Sequence, residues 1–309
     1  MKQKTKEFFM AIVLLFVGLI WGFGFIAVQK GLDSGFSPVM VNLLRFAIAT
    51  VLSIIFFPKD VFSIRFKNIK SGIAPAICLA LGFFFQALGQ KFTTPGNNAL
   101  ITGSYTILVP FFLALLFKIK PGKKAYISAV ITFGGIIILS IPQLSVGQVR
   151  VGDFLSFTAA ICFALHFITL EKSLKVNGAQ VMTFIQLAVA TVMFLIMFLA
   201  FDTGNVKEIN LKEGWLAIVY LGAFSSFLAY VIQTFAQNAL PSTKVSILLA
   251  SESLFGAILS IAFGYEPLSA YFVVGGLMAI GGTVLSQTSG NDKSALDQGI
   301  KKEQSLENK

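Results

Sequence analysis

The residues with the most chemistry to offer are few, and they stand in apolar surroundings. Glu252 sits near the middle of residues 241–263, a stretch apolar for nearly all its length, between Ser251 and Ser253. A carboxylate at that depth is costly, on the order of a few kcal/mol, and so marks a functional site by default. It could bind a substrate ammonium, carry a coupling proton, or accept structural hydrogen bonds. Ser226, Tyr230, Gln233 and Gln237 recur at i, i+4, i+7 and i+11, which puts them on one helix face. Gln86 and Gln90 form a shorter stripe of the same kind. Lipid offers such side chains no partners, so these faces should turn toward protein or a watery cavity. The structural alternative is interhelical hydrogen bonding with no ligand, at about 0.6 kcal/mol per bond. Asn98, Thr102 and Tyr105 share another face, and Tyr105 offers a ring for apolar contact and a hydroxyl for orientation. Trp21, beside Gly22, lies deeper than an interfacial aromatic anchor should. His166 is the only histidine. The expected substrate-binding set is therefore Trp21, Gln86, Thr102, Tyr105, His166, Tyr230, Gln233 and Glu252. Arg45, a basic residue inside the second predicted span, is expected to be structural, snorkelling or capping a neighbour.

Other chemistries lack their residues. No G-x-x-x-x-G-K-[ST] loop is present to hold nucleotide phosphates, and no H-E-x-x-H or Cys/His grouping to hold a metal. One histidine and scattered serines give no set of nucleophile, base and orienter. The chain is thus expected to be no enzyme and to use no cofactor, no metal and no catalytic residue. Cys78 and Cys162 fall within apolar spans and read as small apolar side chains, not as a disulfide framework.

The elements that must position these residues are membrane helices. The chain has 309 residues, 56% hydrophobic and 12% charged, with mean hydropathy +0.82. Soluble domains average about 25% charged. Hydropathy predicts ten spans: 8–28, 38–57, 71–90, 96–117, 125–141, 154–170, 181–201, 215–237, 242–263 and 271–285, each about as long as a hydrocarbon core requires. The first span lacks a convincing cleavage site and reads as an uncleaved helix, not a signal peptide. The polar tail, 289–309, is expected to be a disordered cytoplasmic segment.

The net charge of +10 sits in short loops between spans, the positive-inside pattern and not a nucleic-acid surface. Alternate sides of the ten-span topology hold 18 and five basic residues, which predicts both termini in the cytoplasm. Partners are expected to be a small-molecule substrate, the bilayer and protons as coupling ion, with no nucleic acid.

The chain also repeats itself. Phe25 to Leu32 resembles Phe167 to Leu174, and Ala47-Ile-Ala-Thr-Val51 resembles Ala188-Val-Ala-Thr-Val192. Gln86 and Gln90 match Gln233 and Gln237. Pro95 and Pro121 match Pro241 and Pro267, and Gly134-Gly135 matches Gly281-Gly282. The offset drifts only from 141 to 147 across these pairs. Thr106 stands where Glu252 does. Five spans per unit is an odd number, so the second unit should enter the membrane inverted. Inverted repeats build a site near the midplane of secondary transporters, exposed to either side by rocking.

Several motifs together resemble the drug/metabolite transporter superfamily, EamA type. They are Trp21-Gly22-Phe23-Gly24-Phe25, Arg45, and Ala229-Tyr230 through Ala239-Leu240-Pro241. Ser251-Glu252-Ser253-Leu254-Phe255, Gly264-Tyr265-Glu266-Pro267 and Gly281-Gly282 complete the set. The likeness covers about 8–288. Two departures stand out: Ser253 occupies a position where the family often has proline, and Lys118-Ile119-Lys120 one where it often has Gly-Glu. The resemblance implies an all-α integral membrane protein, a ten-helix basket of two inverted five-helix repeats, 1–142 and 151–288, around a central cavity. It also implies small metabolites as substrates, most often exported amino acids or related compounds. The expectation is a secondary transporter in the cytoplasmic membrane. The alternative is an uptake carrier for a larger planar metabolite such as a vitamin, for which Phe83-Phe84-Phe85 and the 33 Phe would suit a flat ligand.

Overall fold

The computed structural model describes residues 3–117, 123–144, 151–204, 209–240 and 242–287. Pro121, Pro241, most of the connection between the expected repeats and the expected disordered tail lie outside the described residues. Among the described residues the chain is helical throughout, without strands.

The first unit contains α1 (Gln3–Asp33), α2 (Pro38–Phe56), a short α3 (Pro58–Phe62), α4 (Phe66–Gln90), α5 (Pro95–Thr102), α6 (Tyr105–Phe117) and α7 (Lys123–Leu144). The second contains α8 (Val151–Leu174), α9 (Ala179–Phe201), α10 (Leu211–Tyr220), a π-helical segment (Leu221–Leu228), α11 (Ala229–Ala239), α12 (Ser242–Leu249), α13 (Ser251–Ala262) and α14 (Ala270–Gln287). Seven segments are long and apolar enough to cross a membrane, and three shorter apolar helices accompany them, Tyr126–Ile138, Ser251–Ala262 and Ala270–Gly282. Large apolar side chains cover the outside, from Phe16 and Ile55 to Leu115, Phe201 and Leu277. Such a surface suits lipid and not water.

Local signals set the helix starts. Ser37 accepts from Met40 N at 3.0 Å at the head of α2, and Thr94 accepts from Asn97 N at 3.3 Å at the head of α5. Each is followed by proline at the first helical position, where its missing N–H costs nothing.

Three spans depart from the continuous helices that hydropathy suggests. The fourth is broken at Gly103–Ser104 and the ninth at Ala250. Pro110 cannot donate to the Thr106 carbonyl, which weakens the turn just beyond the first break. The two broken segments touch there: a Cβ on Gly103 would run into the side chain of Ser253. The eighth span carries the π-helical turn, which shifts its facing by about one residue.

Small residues let helices approach closely where hydrocarbon gives them no reason to associate. Gly22 of α1 packs against Phe255 and Gly256 of α13, and Gly135 of α7 against the Gly275 carbonyl of α14. Two bonds match each other at the sequence offsets, and two more join positions that lie those offsets apart. Gln90 Nε2 donates to the Phe25 carbonyl at 2.7 Å, and Gln237 Nε2 to the Phe167 carbonyl at 2.7 Å. Thr50 and Thr191 hydroxyls meet at 2.9 Å, 141 residues apart, and Thr132 Oγ1 donates to the Ala279 carbonyl at 3.3 Å, 147 apart.

Candidate functional site

Tyr105 and Glu252, which follow the two breaks, and Ser225 of the π-helical segment meet at one central cavity. Water-sized free space within it amounts to about 40 Å³, and it is lined from both units. Helix α1 contributes Trp21, Gly24, Phe25 and Val28; α2 Arg45; α4 Phe83 and Gln86; and α6 Tyr105. From the second unit come Phe163, His166 and Phe167 of α8, Ser225 of the π-helical segment, Tyr230 and Gln233 of α11, and Glu252 of α13.

Glu252 lies in the first turn of α13, 6% exposed. The exposed N–H groups of a helix N-terminus favour a carboxylate there, which explains how a lone acid is tolerated at this depth. The hydroxyls of Tyr105 and Tyr230 are within its electrostatic reach. Tyr105 opens α6, the matching half-helix, and stacks on Phe167 with centroids 5.2 Å apart and planes at 20°.

The opposite wall is aromatic and tied to the backbone. Trp21 Nε1 donates to the Ser225 carbonyl at 2.8 Å, and its ring lies 5.3 Å from that of Tyr230. That bond makes Trp21 a wall of the cavity. His166 is oriented by Gln186. The Gln186 amide N–H is spent on the Met182 carbonyl at 3.1 Å, so Oε1 faces the imidazole and His166 must donate from Nε2. Its Nδ1 remains available as an acceptor. Gln233 binds Gln237 at 3.3 Å through its amide N–H and keeps a buried, unpartnered carbonyl oxygen.

Seven of the eight expected site residues thus meet: Trp21, Gln86, Tyr105, His166, Tyr230, Gln233 and Glu252. Thr102 does not. Its hydroxyl donates to Asn98 Oδ1 at 3.1 Å, and Asn98 Nδ2 donates to the Gln86 carbonyl at 2.8 Å. The break after Thr102 separates it from the face that carries Tyr105, so a spacing rule that assumes one continuous helix fails there. The ends of the two polar stripes are also engaged within the protein: Gln90 and Gln237 donate to backbone carbonyls, and Ser226 accepts from the Arg45 side chain.

Arg45, expected to snorkel or to cap a neighbour, also lines the cavity. It is 2% exposed, so its guanidinium is buried in protein. Nε donates to Ser226 Oγ at 2.8 Å and Nη2 to Ser225 Oγ at 2.9 Å, while Cζ lies 4.3 Å from the Phe83 ring centroid. The signal was present, since a cation inside an apolar span is as conspicuous as Glu252. Phe83, Phe163 and Phe167 carried no signal that separates them from lipid-facing phenylalanines.

Among the described residues no group of three or more His, Cys, Asp or Glu converges as a metal site would require. What the cavity offers is binding: two charges of opposite sign, amide and hydroxyl groups, and rings.

Residues 8–141 and 150–288 match the EamA-like transporter family. An uncharacterized transporter of Archaeoglobus fulgidus is 27% identical over 267 residues, 86% of this chain and 82% of its own length. The uncharacterized transporter YyaM of Bacillus subtilis is 26% identical over 260 residues, 81% of this chain and 84% of its own. A protein of known crystal structure superposes with a TM-score of 0.67 over 89% of this chain and 96% of its own, at 17% identity, and shares the fold.

Proposed function

This chain belongs to the EamA-like transporter family of multi-pass membrane proteins, and from that premise we propose that it is a secondary transporter exporting a small metabolite, an amino acid or a related compound, across the cytoplasmic membrane by alternating access. The observation that carries this reading is the central cavity, walled by helices from both matched ranges and containing the isolated Glu252. Substrate contacts come from Trp21, Gln86, Tyr105, His166, Tyr230, Gln233 and Glu252, and Thr102 acts through Asn98 on the backbone of Gln86. Protons bound at Glu252 couple transport to the gradient.

In this reading ten spans form two inverted five-helix repeats, 1–142 and 151–288, with both termini in the cytoplasm. The seven long segments and three shorter apolar helices supply the ten. The recurring bonds support it physically. Positions related by a two-fold axis touch their own counterparts only on that axis, and Thr50 with Thr191 and Thr132 with Ala279 are such pairs. The two glutamine-to-carbonyl bonds are one interaction made once in each repeat. Loop charges supply the orientation, with Lys30 of α1 facing out and its counterpart Lys172 facing in.

The ring-lined walls favour a flat ligand as a second reading, uptake of a larger planar metabolite. Counterflow in proteoliposomes preloaded with unlabelled amino acids, aromatic acids or flavins tests both. Accumulation of a labelled amino acid supports the first reading, and accumulation of a flavin alone supports the second. Counterflow of none of these, with folded protein present, sinks both.

A further inference from the structure

Arg45 is the charge of the cavity to which the transport reading gives no task. Its seat is specific. Ser225 and Ser226 are consecutive in the chain, and the π-helical turn Leu221–Leu228 lets both hydroxyls reach one guanidinium. The Phe83 ring, 4.3 Å from Cζ, covers one face. All these partners are neutral. Among the described residues no carboxylate lies within ion-pairing distance of Arg45. Glu252 lines the same cavity from α13 without pairing with it.

The serines occupy two of the five N–H donors of a guanidinium, which never deprotonates in ordinary conditions. A buried cation held only by hydroxyls and a ring lacks the counter-charge that normally offsets desolvation. Its fixed planar fork matches a carboxylate, which can accept two parallel bonds. Beside it lie Trp21, Tyr230 and Phe163, surfaces for a flat apolar body.

We propose that Arg45 is the anion-recognising residue of the cavity, and that the carried compound bears a carboxylate, or an oxyanion of like shape, on a flat apolar body. This rests on the cavity being the transport site. Ser225 and Ser226 are positioning residues that aim the fork, and Trp21 fixes Ser225 through its carbonyl. A merely structural Arg45, tying α2 to the π-helical segment, would affect ligands of every charge alike.

The test uses full-length protein in detergent micelles and two probes of equal length and ring, indole-3-propionate and its primary amide, by isothermal titration at neutral pH. Wild type should bind the acid at least tenfold more tightly than the amide. Arg45→Gln should lose that preference, with acid affinity falling tenfold or more and amide affinity within twofold. Arg45→Lys, which keeps the charge and loses the fork, should retain only part of it. Equal affinities in wild type, no binding of either probe, or a preference that survives Arg45→Gln overturns the proposal. If Arg45→Gln does not fold, the wild-type comparison and Arg45→Lys decide, and a full preference in Arg45→Lys counts against the fork. Tyr230→Ala separates this failure from failure of the underlying reading. It should weaken both probes alike, and indifference of both to it puts binding outside the cavity.

Discussion

The broken segment from Pro95 to Phe117 and its counterpart at 242–262 share a backbone plan. Each begins with an eight-residue helix, breaks, and resumes as a second helix, of 13 residues in α6 and 12 in α13. The chemistry at the resumption differs. The first presents Tyr105 and Thr106, the second Ser251 and Glu252, and Tyr105 and Glu252 both line the cavity. A repeated backbone device thus supplies two helix N-termini at the centre of the molecule, and only one holds a charge. The two segments share a geometry, and the difference between their residues provides the polarity a binding site needs.

That contrast can be broken most forcefully at the charge. Glu252→Gln keeps the shape and removes titration. With Glu252 as the proton-binding group, gradient-driven transport in proteoliposomes should fall more than tenfold while exchange without a gradient persists. Thr106→Val, at the matching position, loses only a hydroxyl bound to the Gly103 carbonyl at 3.0 Å and should change either activity less than twofold. Equal sensitivity of the two positions would remove the asymmetry. A comparison of like with like comes next. Gln86→Leu and Gln233→Leu occupy matched positions on opposite walls, so each should reduce transport severalfold, with membrane abundance within twofold of wild type by immunoblot. Loss of folded protein without a selective transport defect would favour a packing role.

The apolar helices, the buried carboxylate and the Tyr230–Gln233 part of the polar stripe were legible because apolar length and helical period survive in a one-dimensional reading. The breaks were not. Hydropathy averages over a window and cannot distinguish one helix of 22 residues from two helices meeting at Gly103–Ser104, and Thr102 was misplaced as a result. The π-helical turn escaped for a related reason, since it changes the periodicity on which stripe arguments depend. Its consequence is the Ser225–Ser226 seat that makes Arg45 a cavity residue. Phe83 faces the cavity and Phe84 and Phe85 do not, a difference that arises only from packing.

Smaller effects sharpen the comparison at the crossings. Gly103→Ala should destabilise by about 1–3 kcal/mol because its methyl group meets Ser253. Adding Ser253→Gly should recover most of that loss, as read by thermal unfolding in detergent. An unrecovered double variant would mean that the two breaks do not pack against each other. In α14, Gly282→Ala should likewise cost about 1–3 kcal/mol, since its methyl group would meet the Ser128 carbonyl at 2.8 Å. Its neighbour Gly281 has nothing within 4 Å, and Gly281→Ala should be neutral or slightly stabilising because alanine is the better helix former.

The most direct test of the cavity as an alternating-access transport site is thiol accessibility at its wall. In protein with Cys78 and Cys162 replaced by serine, Gln233→Cys is labelled with a membrane-impermeant maleimide from each side of oriented membranes. Alternating access predicts labelling from both sides, with added transported substrate slowing it on each. Labelling from one side only, at a rate that substrate leaves unchanged, would contradict a site that opens alternately to the two sides.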